Sequence, residues 1–87
     1  MTASPYAGGW SCRVLVRDPD GSSTEHDVDV SHADLVRLAP GAADPIDLVR
    51  RSFAFLLERE AKESILREFE LPAIGRYFPE YEREVGA

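Results

Sequence analysis

The strongest constraint in the chain is a turn with matched strands on either side of it. Asp18-Pro19-Asp20-Gly21 supplies a proline whose ring pre-sets the second position of a type I turn, and a glycine free to take the left-handed conformation after it. Upstream, Trp10, Cys12, Val14 and Val16 share one parity while Ser11, Arg13, Leu15 and Arg17 share the other. Period two is the pattern of a half-buried strand. With Pro19, Asp20 and Gly21 as a three-residue loop, Val16 faces Thr24, Val14 faces His26, Cys12 faces Val28 and Trp10 faces Val30. The other face then pairs Arg13 with Asp27 and Leu15 with Glu25. A slip of one residue would set valines against aspartates, so the register is specified. An antiparallel β-hairpin over about 10–18 and 22–30 follows.

Helix signals come next. Ser31 followed by Asp34 has the form of an N-cap, opening a short helix over about 32–39 that carries Leu35, Val36 and Leu38 and stops at Pro40-Gly41. Asp44-Pro45-Ile46-Asp47 opens a long helix, about 45–60 or longer, with a capping aspartate, proline where its missing N–H is harmless, and an acid near the positive end of the dipole. Ile46, Val49, Phe53, Leu56 and Leu57 recur at steps of three and four, a stripe able to lie across the valine face of the hairpin. Glu60-Ala61-Lys62-Glu63-Ser64 holds no breaker, so continuation to Phe69 and interruption near Ser64 are both open. Leu71-Pro72 turns Leu71 away from helical geometry, so a new short helix spans about 72–78, through Ile74, Tyr77 and Phe78. Residues 80–87 fray or add one turn. The fold class is α+β, with residues 10–87 as a single small domain and residues 1–9, small and turn-prone, as a flexible tail.

Glu63-Ser64-Ile65-Leu66-Arg67-Glu68-Phe69-Glu70-Leu71-Pro72, continuing through Arg76-Tyr77-Phe78-Pro79-Glu80-Tyr81, resembles a family of short, uncharacterised bacterial proteins. Leu48 to Arg59 resembles that family's central helix, and the likeness covers about residues 31–83. No activity, cofactor or catalytic residue attaches to the family, so the resemblance implies no function.

Sixteen acidic against ten basic residues give a net charge of −6, which repels phosphate backbones and argues against nucleic acid. Nine arginines to one lysine fit a GC-rich bacterial coding sequence. Cys12, the single cysteine, has no internal disulfide partner and suits a reducing cytosol. No segment approaches the ~20 apolar residues of a membrane span, and the stretch to Trp10 lacks a basic start and an apolar core, so a cytoplasmic protein is expected.

Several groups invite chemistry. His26, Asp27, Asp29 and His32 are close in sequence, but strand alternation turns His26 to one face and Asp27 and Asp29 to the other, which argues against a metal site. Asp18-x-Asp20-Gly21 lacks the later glycine and distant glutamate of a calcium loop. Cys12 would need a base, and the nearest, His26, is diagonal on the same face; a small buried hydrophobe is the better reading. Arg37, Arg50, Arg51 and Arg59 could form a basic patch, though pairing with Asp47, Glu58 and Glu63 is the commoner outcome. Phe69, Tyr77, Phe78 and Tyr81 are many rings for so short a chain to cover. The candidate partner surface is therefore Arg50, Arg51, Tyr77, Phe78 and Tyr81.

A nucleophile with its base, paired carboxylates in a cleft and a phosphate-binding glycine loop are all missing from the sequence, so neither enzymatic activity nor a cofactor is expected. The favoured class is a protein-interaction or self-association module, since a two-stranded ribbon leaves two open edges. The alternative is a small DNA-binding or antitoxin-like regulator, which the acidity disfavours.

Overall fold

In the computed structural model, which describes residues 1–86, the hairpin turn closes as its residues require. Asp18 N–H donates to the Ser22 carbonyl at 2.9 Å and Gly21 N–H to the Asp18 carbonyl at 3.0 Å. Gly21 takes φ 90°, a region that side chains disfavour. The Ser22 hydroxyl and N–H both donate to Asp20 Oδ1, holding that carboxyl below its ordinary range. Strands β2 (Gly9–Arg17) and β3 (Ser23–Ser31) pair antiparallel in the expected register, Trp10 facing Val30, Cys12 facing Val28, Val14 facing His26 and Val16 facing Thr24. Cys12, Val14, Val28 and Val30 are buried on the inner face. On the outer face Arg13 bonds Asp27 at 3.1 Å and Glu25 at 3.3 Å.

The expected flexible tail contains a strand. β1 (Thr2–Tyr6) pairs antiparallel with β2, Tyr6 facing Gly9 across the Ala7-Gly8 turn. Of its inner parity only Ala3 packs on the core while Pro5 stays exposed, too little to show as alternation, and pairing along β2 supplies its order instead. Gly9 is required at the joint, because a Cβ there would stand 2.1 Å from the Val30 carbonyl oxygen.

Helix α1 (His32–Leu38) is capped as expected, Ser31 Oγ accepting from Asp34 N–H at 3.0 Å. Asp44 Oδ1 accepts from Ile46 N–H at 3.0 Å where α2 (Ile46–Leu57) opens. α2 buries Val49, Phe53 and Leu56, each contributing about 1.5–3 kcal/mol. Phe53 lies 5.4 Å, ring to ring, from His26 of the sheet. Leu57, expected in this stripe, is 42% exposed: one residue past Leu56 turns it about 100° off the face, and the buried arc widens the other way through Leu48 and Phe55.

The long helix does not reach residue 60. Arg59 and Glu60 N–H groups both close on the Leu56 carbonyl, Ala61 is extended, and a 3-10 turn follows at Lys62–Ser64. A tertiary contact selects this break. The buried Lys62 ammonium reaches the Asp18 carboxylate at 2.5 Å, Ser22 Oγ at 2.8 Å and Glu63 at 2.6 Å, and Asp18 above all raises its pKa. The freed chain forms β4 (Glu68–Glu70), parallel to β3, with Asp27 facing Glu68 and Asp29 facing Glu70. His26 secures it: Nδ1–H donates to the Leu66 carbonyl at 2.8 Å, leaving Nε2 to accept from the Thr24 hydroxyl.

Two short helices close the described chain, α3 (Ala73–Tyr77) and α4 (Tyr81–Val85); Ala87, last of the expected domain 10–87, lies outside the described residues. Among the described residues the architecture is α+β, a mixed sheet in the order β1-β2-β3-β4 with its helices over one face.

Candidate functional site

The break after α2 and the short β4 leave a hollow between the end of α2, the 62–66 segment, β4 and α3. Leu56, Ile65 and Ile74 form its buried floor, and Phe69 and Phe78, half-buried, form its walls. Leu66 and Tyr77 stand at its mouth, 50% and 69% exposed. The volume is about 330 Å³. Glu60, from the turn after α2, is the one ionisable carboxyl in its lining; it makes no ion pair among the described residues.

The five residues expected on a partner surface fall in different places. Tyr77 and Phe78 line the hollow together. Tyr81 does not: it is fully buried, its phenol 2.6 Å from Ser52 Oγ on α2, and burial pushes its pKa up. Its i+4 partner on α4, Val85, is also buried, so the spacing Tyr81/Val85 marks an inward stripe that separates it from Tyr77. Arg51 bonds Asp47 at 3.0 Å and the Val85 carbonyl at 2.6 Å, beside a smaller cleft of about 190 Å³. Arg50 is exposed and unpaired among the described residues.

Among the described residues no basic patch assembles. Arg37 pairs with Asp34 and Glu82, and Arg59 pairs with Glu80 and Glu84 of the C-terminal segment while lying 3.6 Å over the Phe55 ring. Glu63, expected opposite an arginine, holds Lys62 instead.

The reactive candidates are engaged structurally. Cys12 is fully buried, and desolvation, aided by Asp29 and Asp44, raises its pKa to about 11, so the thiol stays protonated near neutrality. Both ring nitrogens of His26 are spoken for by Thr24 and Leu66. His26 faces inward while Asp27 and Asp29 face the opposite side, and His32 stacks on Trp10 at 4.7 Å.

Of the residues lining the hollow, the candidate partner surface held Tyr77 and Phe78 but not Phe69, Leu66, Glu60 or the buried floor. Ile65 and Leu66 gave no separate signal, because two adjacent aliphatic residues fit the apolar arc of a helix as well as any other placement, as Phe55 and Leu56 do on α2. No family model matches the chain, and neither a curated protein nor a solved structure matches it.

Proposed function

We propose that this is a non-catalytic protein-interaction module of a bacterial cytoplasmic protein, and that the hollow beside β4 receives apolar side chains of its partner. The observation that carries the proposal is the exposure of Leu66 and Tyr77 at the mouth of an apolar concavity. Large apolar side chains left in water beside a concave site mark recognition surfaces. The engagement of Cys12 and His26 in packing supports a non-catalytic role, and a free, buried cysteine suits the cytoplasm. β1 and β4 lie along parts of the two hairpin edges, at Gly9–Arg13 of β2 and Asp27–Asp29 of β3, so the hollow rather than a bare ribbon edge is the surface favoured.

A displayed random-heptapeptide library selected on the native chain tests the proposal, with a Leu66→Ser/Tyr77→Ser variant as the counter-target. Both residues are surface-exposed, so the variant should fold, as circular dichroism would verify. Enriched peptides should bind the variant about tenfold or more weakly. Equal binding to both proteins, or no enrichment, refutes the proposal.

A further inference from the structure

Taking the hollow as the partner site, on which the assignment rests, we infer that its occupant is an extended segment of another protein added as a strand alongside Glu68–Glu70, with alternate apolar side chains entering the hollow and a lysine or arginine meeting Glu60.

The backbone of β4 carries the first part. Asp27 N–H donates to the Arg67 carbonyl at 2.7 Å and Leu71 N–H to the Asp29 carbonyl at 2.9 Å. In that parallel register the peptide groups facing β3 belong to Arg67, Phe69 and Leu71, so those of Glu68 and Glu70 point away from it. β4 ends the strand order, and no backbone hydrogen bond from within the described chain meets that outer side. An open edge with unpaired N–H and C=O groups is a template for one more strand. Phe69, between the two glutamates, projects into the hollow. Every second side chain of an added strand would point to the same side of the sheet as Phe69.

Size and charge carry the rest. About 330 Å³ is at the small end of ligand sites, room for a few side chains and not for the face of a folded domain. Glu60 waits unpaired in its lining, and Glu68 and Glu70, also without ion pairs among the described residues, flank the open edge. A cationic segment complements all three. A second copy of the chain, with its own net charge of −6, does not, and a helix would leave the outward peptide groups of β4 unmet.

The peptides selected on the native chain provide the test. Enriched sequences should alternate apolar residues and carry a lysine or arginine. N-methylation of one parity of their amides should weaken binding about tenfold or more, and of the other parity hardly at all. Replacing their basic residue with alanine should weaken binding to the native chain several-fold more than binding to Glu60→Gln, where only Glu68 and Glu70 remain to attract it. Apolar spacing of three and four, tolerance of methylation at both parities, or an equal alanine effect on Glu60→Gln overturns the strand assignment. So does a sedimenting dimer abolished by Leu66→Ser/Tyr77→Ser, which would seat a second copy there. In each of these cases sensitivity to Leu66→Ser/Tyr77→Ser still upholds the hollow as a site, whereas insensitivity removes both.

Discussion

The buried hydroxyl pair that ties α4 to α2 should show itself as coupling between two substitutions. Ser52 Oγ lies 2.7 Å from the Leu48 carbonyl, and a carbonyl only accepts, so the one serine proton is committed there. The Tyr81 phenol, 2.6 Å away, must therefore donate to Ser52 Oγ. Ser52→Ala strands that phenol in a dry interior and should cost about 1–3 kcal/mol, the usual penalty for an unsatisfied buried group. Tyr81→Phe removes only the donor while Ser52 keeps Leu48, and should cost about 0.5–1.5 kcal/mol. In the double variant nothing is left unpaired, so its loss should fall short of the sum by about 1 kcal/mol or more. Urea unfolding followed by the fluorescence of Trp10, the single tryptophan, reads all three; in a domain this small 1 kcal/mol also moves Tm by about 4–8 °C. Losses that add to within about 0.5 kcal/mol would refute the shared bond and with it the burial of Tyr81.

Two further outcomes follow from the packing and from burial. Gly9→Ala should destabilise by at least about 2 kcal/mol, since its Cβ would press on the backbone of Val30 and Ser31, whereas Gly21→Ala, open to solvent and strained only in φ, should lose about 1 kcal/mol; equal losses in urea unfolding would contradict the close approach of β2 and β3 at Gly9. Cys12 keeps its proton to about pH 11 when folded but to about 9 when unfolded, so its contribution is complete below pH 9 and lost as the pH rises through that window, by at most about 1.4 kcal/mol per pH unit. Cys12→Ala should flatten the fall of the urea midpoint between those pH values, and an unchanged slope would count against the buried thiol.

What was legible in the sequence was what neighbours in the chain decide. The hairpin register follows from Pro19 and Gly21 together with the valine parity, and the opening of α1 follows from Ser31 and Asp34, because turn and cap are local bonds. β1 was hidden since its inward positions hold alanine and proline, so its pairing with β2 leaves no hydrophobic period to read. β4 was hidden for the opposite reason. Ile65 and Phe69 are four apart and fit a helix as well as a strand, and nothing between Glu60 and Ser64 stops one. The break is chosen by Lys62 finding Asp18 and by His26 holding the Leu66 carbonyl, contacts 44 and 40 residues apart in the chain.

That same non-local origin explains why the candidate site lies where it does. On the outer face, β4 sets Glu68 opposite Asp27 and Glu70 opposite Asp29, like charges in directly facing positions that oppose pairing by a few tenths of a kcal/mol each, up to about 1. The strand stays in place through its backbone bonds, its Phe69 and the anchors at Leu66 and Lys62. An edge assembled this way keeps unsatisfied negative charge and open peptide groups beside an apolar hollow. A cationic strand laid against it would offset the Asp27/Glu68 and Asp29/Glu70 repulsion while filling the space before Phe69, so the feature that weakens β4 within the isolated domain is the one that would favour a basic partner over a neutral one.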